Sequence, residues 1–106
     1  MAGTIEVGPD SRWSAASWLF DWVLRSIALE VNDAELAGEL VGIVDENIGW
    51  LSLDELSQTQ QKAVRAVIQD GDFAHRTVSR ATQLKDPGAT EAYVRGLVDL
   101  MAAAAP

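Results

Sequence analysis

Residues 13–31 run for nineteen positions without glycine or proline, carry three of the chain's four tryptophans, and contain only Asp21, Arg25 and Glu30 as charged groups. A stretch of that length and content predicts a helix, with Asp10 or Ser11 as its cap. At about 100° per residue, Ser14, Ser17, Asp21 and Arg25 fall on one narrow stripe and nearly everything else around the axis is apolar. So wide an apolar arc requires neighbours on several sides, either other helices of the same chain or the surface of a second chain. The rest of the sequence therefore has to supply that cover.

It does so with segments that read as further helices. Asn32 with Glu35 has the form of a capping box opening a helix over about 33–48, closed by Gly49. Leu36, Leu40, Ile43, Val44 and Ile48 line one side of it, and Glu35, Glu39 and Glu46 the other. Ser52 with Glu55 predicts a short helical turn, and Ser57 with Gln60 a second box that starts a helix reaching Asp70. Asp72 opens a shorter helix in which Phe73, Ala74, Val78, Ala81 and Leu84 share a side and Lys85 suits the last turn. Pro87 is acceptable as the first residue of a final helix carrying Tyr93, Val94, Leu97, Val98 and Met101. Residues 1–9, with two glycines and a proline, read as a loose arm, and residues 103–106 as a frayed end. The expected fold is all-α: one domain over 1–106, a compact bundle of about five helices over 10–102 with a short irregular N-terminal arm. A chain of 106 residues supports one core and no separate substrate domain.

Charge narrows the partners. Sixteen acidic against eight basic residues leave a formal −8, which repels nucleic-acid phosphate and anionic lipid. Nine of the acids but only two of the basic residues fall in residues 1–53, so the negative charge is one-sided. There is no cysteine, which removes disulfides, thiol nucleophiles and thiolate metal sites. The first residues lack the basic end and apolar run of a signal peptide, and no stretch reaches the ~18 apolar residues of a membrane span. A cytoplasmic location is the expectation, and six arginines among eight basic residues fit a GC-rich bacterial genome.

Chemistry is sparse. His75 is the only imidazole, so any histidine-dependent base or metal role falls to it. Asp70, Asp72 and His75 lie close in sequence, but without a second histidine or a known ligand spacing they predict capping aspartates beside a surface histidine. The neighbouring acids Asp45 and Glu46, and Asp54 and Glu55, point in different directions on a helix and do not suit paired-carboxylate catalysis. No serine is paired with His75 by sequence. No enzyme, no cofactor and no metal is expected.

Two surfaces remain. The polar side of the second helix carries Glu35, Glu39, Asp45 and Glu46. Gly38 and Gly42 lie on it in line with Ala34, each costing up to ~1 kcal/mol relative to alanine. With no side chains there, the helix offers a groove that a basic partner helix or loop can approach, and Trp50 adds apolar contact area. The second surface is the tryptophan helix itself, where Trp13, Trp18 and Trp22 are candidates for a homodimer or small-oligomer interface. The leading expectation is a non-catalytic protein-interaction module, immunity- or antitoxin-like in character, that binds a basic partner protein through the acidic face. The alternative is a structural homo-oligomer.

Overall fold

The computed structural model describes residues 2–81 and 84–103, and it corrects the all-α expectation. Among the described residues the fold is mixed α/β, 65% helical and 16% strand, with a three-stranded sheet and five α-helices. The segment read as a loose arm is strand β1, Ala2–Gly8, and the first turn assigned to the tryptophan helix is strand β2, Ser11–Ala16. The two pair antiparallel, with Ile5 opposite Trp13 and Thr4 opposite Ser14. The reason is a period of two that the apolar run concealed. Gly3, Ile5 and Val7, then Trp13 and Ala15, are buried, whereas Thr4, Glu6, Arg12 and Ser14 are not. That is the inside-outside alternation of a half-buried sheet, with Pro9 and Asp10 at the turn. Strand β3, Trp50–Ser52, then lies parallel to β1 on its other side, giving the order β2-β1-β3.

Helix α1, Ser17–Glu30, starts four residues later than expected and packs against the sheet. Its Leu19, Phe20, Val23, Leu24 and Ile27 are buried. The closest approach is at Gly3, where a Cβ would stand 2.1 Å from Phe20 Cγ. The wide apolar arc of α1 is covered by the sheet and by α2 (Ala34–Asp45), α3 (Gln58–Gln69) and α4 (Phe73–Ser79).

The helix ends follow local chemistry. The cap of α2 is Asp33, whose side chain accepts from Leu36 N, in place of Asn32. The helix stops at Asp45 and not Ile48. Asn47 takes φ 54°, Ile48 N donates to Ile43 O and Asn47 N to Val44 O, the double closure of a Schellman motif with an αL asparagine. Gly49 at φ 70° then turns the chain into β3. The Ser52 turn survives as a 3-10 turn, Leu53–Glu55. At α3 both arms of the Ser57 and Gln60 capping box form. Helix α4 ends at Ser79, so Lys85 lies beyond it. Pro87 opens α5, Pro87–Ala103. Ala103 is still helical, and the rest of the expected frayed end, 104–106, lies outside the described residues.

Tryptophan and arginine side chains tie these elements together. Trp13 Nε1 donates to Tyr93 O at 3.1 Å, the two rings lie 5.6 Å apart, and Tyr93 Oη donates back to Ser14 O. This reciprocal pair fastens α5 to β2. Trp22 Nε1 donates to Thr77 O at 2.7 Å, joining α1 to α4. Arg76 and Arg80 of the α4 segment both reach Glu30 at the end of α1, at 2.8 and 2.9 Å. Burial alone would push the Glu30 carboxyl up, but hydrogen bonds and charge from the two guanidiniums win and hold it below its ordinary value.

Candidate functional site

The C-terminal half of α2 and strand β3 face one another across an open groove of about 370 Å3. Glu39, Gly42 and Glu46 enter it from α2, Trp50 from β3 and Glu55 from the 3-10 turn, over apolar surface that includes Ile48. The Schellman closure positions this arrangement. It ends α2 one turn early and leaves 46–49 to lead into β3, so that Glu46 and Trp50 come to opposite walls.

Trp50 is held in place from the sheet. Leu51 points inward and is buried, so Trp50 points to the outer side, where the Arg12 guanidinium lies 5.7 Å from its ring centre. Arg12 is also fixed by Glu6 at 3.0 Å, and Ser52 donates to the other Glu6 oxygen at 3.3 Å. These three residues are cross-strand neighbours in the pairing register. The tryptophan wall therefore rests on a three-strand polar ladder.

The acidic wall has no such internal partners. Among the described residues, Glu39, Glu46 and Glu55 take part in no ion pair. At Gly42 an added Cβ would meet nothing within 4 Å, and the same holds for Gly38. Neither glycine is required by packing within the chain. The groove can accept a cationic group at its rim and an apolar one on its floor.

The residues singled out from the sequence are thus only partly brought together. Glu39, Gly42, Glu46 and Trp50 share the groove. Glu35 is exposed in the first turn of α2 and Asp45 is exposed at its end, both outside the groove lining. Gly38 opens instead onto a separate hollow of about 560 Å3 between α1 and α2, beside Trp22, Arg25, Leu29 and Val41. The three tryptophans of the proposed oligomer interface also part company. Trp13 is 7% exposed and belongs to the core, Trp22 is half-buried and bonded to Thr77, and Trp18 is 54% exposed. Trp18 borders a third, largely apolar hollow of about 710 Å3 with Tyr93 and the start of α5.

Glu55 and Ile48 are groove residues that the sequence did not single out. Glu55 was legible as the partner of Ser52 in a short turn and as a neighbour of Asp54, and its place opposite α2 depends on the sheet. His75 likewise gains neighbours that its sequence position does not reveal. Its Nδ1 lies 3.0 Å from Glu91 Oε1 and its Nε2 lies 3.4 Å from Ser79 Oγ. Asp70 instead contributes its backbone carbonyl to Arg76. None of the helices among the described residues is long and apolar enough to cross a membrane. No protein-family model, curated protein or solved structure matches the chain.

Proposed function

We propose that the chain is a protein-interaction module that captures a basic partner protein in the groove between α2 and β3, in the cytoplasm and in the manner of an immunity or antitoxin protein. The observation that carries this reading is the groove itself: three carboxylates with no ion-pair partners among the described residues stand around an apolar floor. Exposed acids of one sign raise the encounter rate with a cationic surface and disfavour anionic ones. The flanking apolar groups, Ile48 and Trp50, give the contact area that holds the complex once water leaves. The open space above Gly42 lets a partner's backbone come close.

The test is a triple charge reversal, Glu39→Lys, Glu46→Lys and Glu55→Lys, compared with the wild type in capture from the host's own lysate at low and high salt. A partner with a basic surface should be retained by the wild type, weakened by salt and lost by the variant while the circular dichroism stays helical. Capture that is equal for both proteins sinks the reading.

A second reading, a homo-oligomer built on α1, draws support from one residue. Leu29 is 72% exposed at the edge of the hollow over Gly38. Such a protruding side chain next to a cavity is self-complementary in the sense a two-fold interface needs. Sedimentation across a dilution series checks it, and a monomer at micromolar concentration removes it.

A further inference from the structure

We infer that Ser79, His75 and Glu91 form a nucleophile, base and carboxylate relay that hydrolyses small carboxylic esters. The line of contacts runs Ser79 Oγ to His75 Nε2 at 3.4 Å, then His75 Nδ1 to Glu91 Oε1 at 3.0 Å. A serine, an imidazole and a carboxylate joined through the two ring nitrogens are recognised by geometry and not by chain order. The first contact is longer than a closed hydrogen bond, as is common before substrate binds. The sequence expectation of no enzyme included the absence of any serine paired with His75 by sequence. The carboxylate stands 16 positions away on another helix, out of reach of sequence spacing.

Each member is oriented by the fold. His75 and Ser79 sit one turn apart on α4, which places both side chains on one side of that helix. Glu91 is gripped from its other oxygen by Arg95 at 2.9 Å. The hydrogen bonds from His75 and then Arg95 hold its carboxyl below the ordinary carboxylate value, so it stays ionised. In the tautomer whose Nδ1 proton is directed at Glu91, the Nε2 lone pair faces the serine hydroxyl. Both His75 and Ser79 are exposed, with the His75 side chain at 64%, so a substrate can reach them.

Beside the relay is a cleft of about 350 Å3 whose walls include Val78, Leu84, Pro87 and Gly88. Its size and apolar walls suit a short acyl group. Gly88 belongs to the first turn of α5, where Pro87 has no N–H and the N–H groups of Ala89 and Thr90 already donate to Asp86. The Gly88 N–H, at the wall of the cleft, is the donor this turn leaves to an oxyanion. Because the imidazole faces water, the site has little of the desolvation that difficult amide cleavage demands. Activated and simple esters are the matching substrate class.

The steps balance. His75 Nε2 takes the Ser79 hydroxyl proton as Oγ bonds to the ester carbonyl carbon. The tetrahedral oxyanion collapses, the carbon to alkoxide bond breaks, and His75 gives its proton to the leaving alcohol. Water then adds to the acyl-serine with His75 as base, and the acid leaves as Ser79 regains its proton. Ser79 and His75 are the catalytic residues, and Glu91 is a positioning residue. This site lies on α4 and α5 and does not depend on the acidic groove.

The experiment uses the purified full chain with p-nitrophenyl acetate and butyrate, and in parallel a fluorophosphonate probe read by peptide mass spectrometry. Turnover should be accompanied by phosphonate on Ser79. Ser79→Ala should abolish the label and lower kcat/KM at least tenfold, and His75→Ala should do the same. Glu91→Gln should lower kcat while KM stays put, which a merely structural role would not produce. The wild-type label needs no variant to fold. Phosphonate absent from Ser79, or hydrolysis by Ser79→Ala as fast as by the wild type, overturns the proposal.

Discussion

Two glycine sites in this protein stand at opposite extremes of packing. At Gly3 the chain has spent the missing side chain on itself, since the Phe20 ring fills the space a Cβ would need. At Gly38 and Gly42 nothing lies within 4 Å of that space, although both interrupt a helix where alanine is better by up to ~1 kcal/mol. The first glycine belongs to the joint between sheet and α1. The other two contribute nothing to the packing of the fold that contains them, and both border hollows on the surface. One region is closed by its own residues and the other leaves room for something else.

The largest effect expected from breaking that contrast is Gly3→Ala. The added methyl collides with three carbons of a side chain that is itself fully buried, so Phe20 must leave its position or β1 must move off the sheet. Overpacking of this severity costs about 3 kcal/mol or more. Urea denaturation reads it directly. A midpoint equal to the wild type would mean that the joint has slack and that the comparison with α2 is misplaced.

Next in size is Glu30→Gln, which keeps the side chain's shape but replaces the carboxylate shared by Arg76 and Arg80 with a neutral amide that has one acceptor oxygen. Hydrogen bonds to charged groups contribute about 1–3 kcal/mol net, and a loss in that range is expected near neutral pH. The sign with pH follows from the lowered Glu30 pKa in the folded state. The contribution is complete above the ordinary value of 4.5 and is lost as pH falls through the lower folded value. Stability curves of wild type and variant should therefore converge on acidification and separate as pH rises towards neutrality. Trp22→Phe should cost less, about 1–2 kcal/mol, because it leaves the Thr77 carbonyl without the indole donor and removes part of a half-buried ring. Thermal melts at neutral pH distinguish these two from Gly3→Ala by size alone.

The same contrast explains what the sequence could convey. Helices α3 and α5 were readable because their starts are local: Ser57 and Gln60 lie three apart, and Pro87 suits the first position of a helix and not its interior. The sheet was not, because Trp13, Ser14, Ala15 and Ala16 satisfy a helical reading as well as a strand reading, and the helix next door has the same composition. What decides between them is the pairing of Ile5 with Trp13 and of Ile5 with Leu51, and the second of these spans most of the first half of the chain. The groove shares that fate. Glu39, Gly42 and Glu46 could be grouped from helical spacing, but Glu55 and Ile48 join them only because β3 returns beside β1. Gly38, which helical spacing grouped with Gly42, opens onto a different hollow.

The smallest folding effect is also the one that sharpens the comparison most. Gly42→Ala adds a methyl into open space on a helix, so it should stabilise the isolated protein by about 0.5–1 kcal/mol. Were the groove nothing more than solvated surface, that gain would be the whole consequence. If a partner's backbone lies over Gly42, the same methyl must weaken capture, so stability and binding move in opposite directions. The control is Gly38→Ala, which should give a similar gain in stability but acts on the α1 side, away from Glu39, Glu46 and Trp50. A denaturation midpoint and a binding titration for the two variants separate the cases. Loss of binding for Gly42→Ala alone assigns the open space to the basic partner. Equal binding by both leaves charge, and not close backbone approach, as the groove's contribution.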